Sequence, residues 1–279
     1  ALCAIRMLPS ATKIVTVIQA IKYKSPVIYK MYDLIKNNEN FNKELLEINK
    51  NLPHGNYDKN KYVLNNVSFS HLNSNKKIFE NLTIRFERGK FYGLIGASGT
   101  GKTTLVNLLL SFLKPNAGNI ELDGIDISKY KIDWKSKVGY VPQSIFLLDE
   151  SIINNVAFGV EEEKIDINKV KKSIDAVQLT DFVNNLENGY KTVVGERGSK
   201  ISGGQAQRLG IARALYNNPD ILILDESTNN LDIDFENKIL NDLQKLKDTK
   251  TIIFITHREN PLIYCDEIYE IVNGNAKKK

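Results

Sequence analysis

The sequence predicts an α/β fold built on a mostly parallel core sheet, with an antiparallel β subdomain before it and a helical subdomain within it. Bare apolar runs at residues 91–95, 138–141, 221–224 and 251–255 suit strands covered on both faces. Helical patterns lie between them, notably at 170–183 and 205–216, and strand–helix alternation is how a parallel sheet is wound. Ahead of these, 62–70 and 78–86 are β-rich runs separated by the polar turn Asn73-Ser74-Asn75, which reads as an antiparallel pair. A helix over 103–113 is predicted to end before Pro115, and 119–122 is a further strand.

The 279 residues are 42% hydrophobic and 25% charged, which excludes a collagen-like, disulfide-stapled or wholly disordered chain. No stretch approaches the roughly 18 consecutive apolar residues of a membrane span. Two cysteines, Cys3 and Cys265, are too few and too distant for a framework and read as free thiols in a reducing compartment. The net charge of +5 is unevenly placed. Residues 1–56 carry 8 Lys/Arg against 4 Asp/Glu, a net +4, which leaves +1 for the rest. A neutral body is a poor footprint for nucleic acid, so none is expected as partner. A basic leader suits a segment just cytoplasmic of a membrane span, or equally a solvated helix face.

That leader shows two apolar stripes at helical spacing: Ile14, Val17, Ile18 and Ile21, then Ile28, Met31, Tyr32 and Ile35. Ser10 and Ser25-Pro26 offer caps for two helices. Their apolar faces call for a partner surface beyond this sequence. Residues 37–61, rich in Asn and Lys with Pro53-His54-Gly55, read as a linker. The expected division is therefore 1–36, 37–61 and a main domain at 62–279, with helical subdomain near 144–216. With Ala at its start and no signal pattern, the chain is expected to be a piece of something longer.

The main domain carries a phosphate cradle. Gly96-Ala97-Ser98-Gly99-Thr100-Gly101-Lys102-Thr103 fits the G-x-x-x-x-G-K-[ST] pattern between a strand and a helix, with Thr104 following. Glycines let backbone N–H groups turn inward around an anion, and the helix N-terminus adds a favourable dipole. Lys102 is placed for the β- and γ-phosphates and Thr103 for Mg²⁺. The run Ile221-Leu222-Ile223-Leu224-Asp225-Glu226 is a buried strand ending in two acids. Asp225 is placed to hold Mg²⁺ through water, and Glu226 to act as general base on an attacking water. Ile201-Ser202-Gly203-Gly204-Gln205 precedes an amphipathic helix, as a second anion-binding turn or as a cap for that helix.

With these motifs in this order, residues 62–275 resemble the ATP-binding cassette (ABC) transporter family, whose signature is [LI]SGGQ. Lys102 and Ser202 stand 100 positions apart, close to transporter spacing. The resemblance implies a P-loop NTPase (RecA-like) fold, ATP and Mg²⁺ as cofactors, and ATP hydrolysis as activity. It makes Gln143, in Tyr140-Val141-Pro142-Gln143, the Q-loop glutamine that touches Mg²⁺ and senses the membrane domain. It makes His257 the switch histidine facing the γ-phosphate. His71 stands where relatives carry an adenine-stacking tyrosine, and its smaller ring implies weaker or more base-tolerant binding. In the D-loop, Ser227-Thr228-Asn229-Asn230-Leu231-Asp232 departs from the usual Ala-Thr-Ser-Ala-Leu-Asp.

Val194-Gly195-Glu196-Arg197-Gly198 resembles an exporter-specific segment, and residues 146–152 resemble the exporter pattern after the Q-loop. Residues 1–36 then read as the cytoplasmic extension of a last membrane helix. Short stretches near Ile5 and Ile21 are similar to bacterial lipid-linked oligosaccharide and polysaccharide flippases. The resemblance implies a second nucleotide-binding domain as partner, in a homodimer, and a transmembrane domain outside this sequence. Ser202, Gly203, Gly204 and Gln205 then face the ATP held by the second cassette. The expected place is the cytoplasmic face of the inner membrane, with this fragment soluble. A soluble ABC ATPase of translation or repair, and a P-loop kinase, are the alternatives.

Overall fold

The computed structural model describes residues 2–50, 61–71, 76–129, 136–228 and 233–279, with backbone alone for 2–8, 10–11 and 37–50. The chain divides into two units, Ala1–His54 and Gly55–Lys279.

The first unit is one helix, α1 (Leu2–Lys50), with Pro9 and Pro26 inside it. This corrects the expected pair of helices and the linker beginning at residue 37. A proline removes one backbone hydrogen bond but does not by itself end a helix. The stretch Asn42-Lys43-Glu44-Leu45-Leu46-Glu47 is composed mostly of good helix formers, which outweighs its polarity. The remainder of the expected linker, 51–60, lies outside the described residues. Apolar side chains from Ile14 to Ile35 are exposed on α1, the uncovered face its spacing predicts. Among the described residues no helix is long and apolar enough to cross a membrane.

The second unit holds two sheets. One is antiparallel, in the order β2-β1-β4-β5, from β1 (Tyr62–Ser70), β2 (Lys77–Phe86), β4 (Ala117–Leu122) and β5 (Ile125–Asp126). The other, in the order β10-β9-β3-β8-β7-β6, pairs β3 (Phe91–Ile95), β6 (Val138–Val141), β7 (Ile221–Asp225), β8 (Thr251–Ile255) and β9 (Glu267–Val272) in parallel. Strand β10 (Asn275–Lys278) closes its edge in antiparallel fashion. β8 is buried at every residue, and β3 and β7 at all but their last, as bare apolar runs require when helices cover both faces.

Register places the functional ends together. Leu94 and Asp225 both pair with Ile255, so the chain leaves β3, β7 and β8 at one carboxyl edge. Ligands of parallel sheets bind outside that edge.

Two helices differ from the sequence reading. Helix α2 (Lys102–Leu109) stops a turn before residue 113. Ser111 adopts the left-handed φ of +56°, and the buried Tyr62 hydroxyl donates to the Leu109 carbonyl at 2.6 Å, satisfying one of the orphan groups at the helix end. The expected helix over 170–183 is two, α4 (Ile167–Ala176) and α5 (Thr180–Asn184). Gln178, at φ +53°, makes the break; its carbonyl accepts from Arg208 Nη1 at 3.0 Å. Together with α3 (Ile152–Val156) and α6 (Gly203–Leu215) these form the helical subdomain around Val156, Val170, Ile174 and Ile211. Helix α7 (Ile233–Leu246), β5, β9 and β10 complete the domain.

Candidate active site

A cleft of about 920 Å³ opens at the carboxyl edge of the parallel sheet. Residues 98–104 form one wall, Gln143, Asp225 and Glu226 another, and His71, Lys76, Lys77, Ile78, Asn273 and Gly274 the rest.

The glycine loop has its shape because the chain has no alternative. Gly101 caps α2 at φ +101°, and a Cβ there would lie 2.7 Å from Ile78 Cγ2 and 2.9 Å from Phe79 Cζ. No other residue fits that conformation and that space. Lys102 Nζ donates to the carbonyls of Gly96 at 2.7 Å and Ala97 at 3.0 Å, which holds the ammonium at the loop mouth. Thr100 Oγ1 donates to the same Ala97 carbonyl at 2.9 Å. Thr103 is exposed on the first turn, while Thr104 is buried behind it and still borders the cleft.

Strand β7 delivers two acids. Asp225 ends the strand, and burial first, then the neighbouring Glu226, push its carboxyl above the usual range. A hydrogen bond from Tyr140, at 3.4 Å, and the charge of Lys102 act in the opposite sense. Burial and Asp225 in turn push the Tyr140 phenol up to about 12, so it stays a donor. Glu226 then turns left-handed at φ +48°, strain that a non-glycine residue adopts at a cost on the order of 1 kcal/mol. Both its oxygens are engaged. Gln143 Nε2 donates to Oε2 at 2.7 Å, and His257 Nδ1 lies 3.2 Å from Oε1. The tautomer with hydrogen on Nδ1 makes that contact a hydrogen bond to the carboxylate and leaves Nε2 for another partner. Gln143, Glu226 and His257 come from three different strand ends, and the fold brings them into one chain of hydrogen bonds.

His71 follows β1, is exposed at the cleft, and stands edge-on to Phe69 at 5.2 Å. Ser202, Gly203, Gly204 and Gln205 are not among the residues lining the cleft. They start α6 with a capping box: Ser202 Oγ accepts from the Gln205 N–H at 3.2 Å, and Gln205 Oε1 accepts from the Ser202 N–H at 2.8 Å. The cap that the sequence left as an alternative is thus realised. The D-loop departures at Asn229 and Asn230 lie outside the described residues.

The segments read as exporter-like, 146–152 and 194–198, are neighbours in space. Val194 N–H donates to the Glu150 carbonyl at 3.1 Å and Ile152 N–H to that of Thr192 at 3.0 Å. The sequence reading missed Lys76, Lys77, Asn273 and Gly274 on the cleft. Asn273-Gly274 is a two-residue hairpin turn with both φ positive, a pattern the Asn-Gly dipeptide announces. Nothing in the sequence announces Lys76 and Lys77.

The family model described as ABC transporter matches residues 79–229, from the strand under the glycine loop to the turn after the two acids. The chain belongs to the ABC transporter family. Among its relatives, the ATP-dependent lipid A-core flippase of Cupriavidus metallidurans is 37% identical over 219 residues, 78% of this chain and 37% of that one. The ABC transporter B family member 13 of Arabidopsis thaliana is 36% identical over 76% of this chain and 17% of its own. A bacterial Atm1-family ABC exporter solved with ATP bound superposes with a TM-score of 0.74 at 32% identity, covering 82% of this chain and 40% of that one. The cassette therefore spans well under half the length of the relatives it matches. Its fold is the P-loop NTPase fold, with the mixed sheets and helices of the ABC ATPase domain, and its family binds ATP.

Proposed function

We propose that this ABC cassette hydrolyses ATP with Mg²⁺ as one half of a dimer that drives an exporter. The observation that carries the reading is Glu226, fixed through both oxygens by Gln143 and His257 on the cleft that the glycine loop lines.

The residues fit the groups they are assigned. Gly101 lets the loop turn into the N-terminus of α2 against Ile78 and Phe79, and a helix N-terminus on this cleft suits a phosphate chain. Thr103, Asp225 and Gln143 are hard oxygen donors on the same cleft and would hold Mg²⁺ together with phosphate oxygens. The bound cation supplies charge neutralisation and polarises the phosphoryl oxygens. Lys102 takes a point charge to the β- and γ-phosphates. Glu226 accepts a proton from the attacking water, Gln143 and His257 fix its carboxylate, and His257 Nε2 faces the γ-phosphate. His71 stacks against the base with a smaller face than a tyrosine would offer.

The second half of the site comes from another cassette. Ser202 accepts one hydrogen bond as a cap but keeps its own O–H, and Gly203 has open space beside it. Those donors, with the α6 dipole, suit an anion held by a second molecule. ATP contacts of that kind exist in the closed pair alone, which gives the nucleotide the differential affinity that a conformational cycle needs. The names of the relatives and the pairing of the two exporter-like segments support export over import, with a lipid-linked glycan as substrate class. The membrane domain and the inner-membrane location follow from that reading. Phosphate release from ATP to water, measured in this chain and in Glu226→Gln, tests it: release should nearly vanish in the variant while ATP still binds. Phosphate passed to a small-molecule acceptor would show a kinase instead.

A further inference from the structure

Beneath the hydrolytic pair lies a second acid that its chemistry does not use. Glu236, on the first turn of α7, is fully buried. Its Oε1 accepts from Thr228 Oγ1 at 2.6 Å and from Arg258 Nη1 at 3.1 Å, and its Oε2 accepts from Asn260 Nδ2 at 3.1 Å. A buried carboxylate is tolerated where it is paired and hydrogen-bonded, and here Arg258 pairs it while both oxygens accept.

The donors identify what it does. Thr228, itself buried, lies two residues beyond Glu226, and Arg258 is the residue after His257. The Arg258 N–H also donates to Thr256 Oγ1 at 3.0 Å, which fixes the turn carrying His257. One carboxylate thus grips, from behind, the two loops whose front side chains are joined by the Glu226–His257 contact at 3.2 Å. We infer that Glu236 is a positioning residue for hydrolysis, setting Glu226 against His257 without touching the nucleotide. The inference rests on the reading of that pair as the hydrolytic machinery.

The test is steady-state ATP hydrolysis by the full chain for wild type, Glu236→Ala, Glu236→Gln and, as a stability control, Leu240→Ala. Leu240 is fully buried one turn further along α7 and packs into the core, away from the cleft. Glu236→Ala should lower kcat about tenfold or more, as misplaced groups do, with KM within about twofold. Glu236→Gln keeps an acceptor for Thr228 and Arg258 and should restore most of kcat. Leu240→Ala should lower the unfolding midpoint while leaving kcat at a temperature where it is folded. Wild-type kcat in Glu236→Ala, or losses of kcat, KM and midpoint that Leu240→Ala reproduces, would overturn the inference. Should Glu236→Ala not fold, Thr228→Val removes one donor and should lower kcat alone; an unchanged kcat there overturns it equally. A wild-type chain releasing no phosphate would instead refute the hydrolytic reading. The ring signals of the three histidines decide even then: those of His257 should shift in Glu236→Ala and not in Leu240→Ala.

Discussion

The glycine loop at 96–103 and the glycine turn at 202–204 have similar sequences and opposite environments. In the loop, glycine is demanded from inside the molecule: Gly101 sits at φ +101° with Ile78 and Phe79 where a side chain would be. In the turn, a Cβ on Gly203 would meet nothing within 4 Å. The loop faces a cleft with two acids, a glutamine and a histidine already assembled, whereas the turn is closed on itself by its capping box. Glycine in the first place shapes the chain; in the second it leaves room for something from outside. On the proposed reading, the loop is the half of a composite site that this chain assembles, and the turn, exposed at Ser202 and Gly203, is the donor surface it offers to a partner.

Substitutions should separate the two halves. The largest effect belongs to Glu226→Gln, which should lower kcat by about 10² to 10⁴, the worth of a general base, with ATP affinity unchanged by titration. Lys102→Ala should weaken ATP binding to a single chain by roughly tenfold to a hundredfold, since it removes a charged hydrogen-bond donor. Gly101→Ala and Gly203→Ala put the comparison directly. The first should cost about 1–3 kcal/mol of stability from strain and contact, read as a lower unfolding midpoint. The second should stay within about 0.5 kcal/mol of wild type yet weaken ATP-dependent association. Equal midpoints for the two would remove the contrast.

The smallest effect has the opposite sign. Burial and Glu226 raise the Asp225 carboxyl above its ordinary 3.8, so its ionised form is the unfavourable one in the fold. Whatever stability it confers is present below 3.8 and lost as pH rises through the raised folded value. Asp225→Asn should therefore raise the unfolding midpoint at neutral pH without nucleotide, with the gain vanishing in acid. Loss of Mg²⁺-dependent hydrolysis should accompany it, a site residue trading stability for function.

Much of this was legible in the sequence for physical reasons. Strands β3, β7 and β8 are buried on both faces, so they stand out as bare apolar runs, and the cradle and acids lie at their ends. The α4–α5 break was not legible because Gln178 turns left-handed without glycine or proline, held by tertiary contacts with Arg208. Continuity of α1 through Pro26 was missed because Ser-Pro reads identically at a helix start and inside a helix. Lys76 and Lys77 reach the cleft from the start of β2 and Asn273 from the turn after β9, and no local pattern links them to the cradle. Glu236 looks like any acid in a helical first turn; its burial depends on Arg258 and Asn260, more than twenty residues on.

Mixing two inactive chains reads the composite site most directly. Lys102→Ala keeps its serine turn and loses its cradle; Ser202→Arg keeps its cradle and blocks its turn. Neither should release phosphate from ATP alone. In an equal mixture half of the two-fold pairs are mixed and hold one intact site of two, so about a quarter of wild-type activity should return. A mixture as inactive as its components, at concentrations where wild type turns over, would contradict the sharing of one nucleotide between two chains.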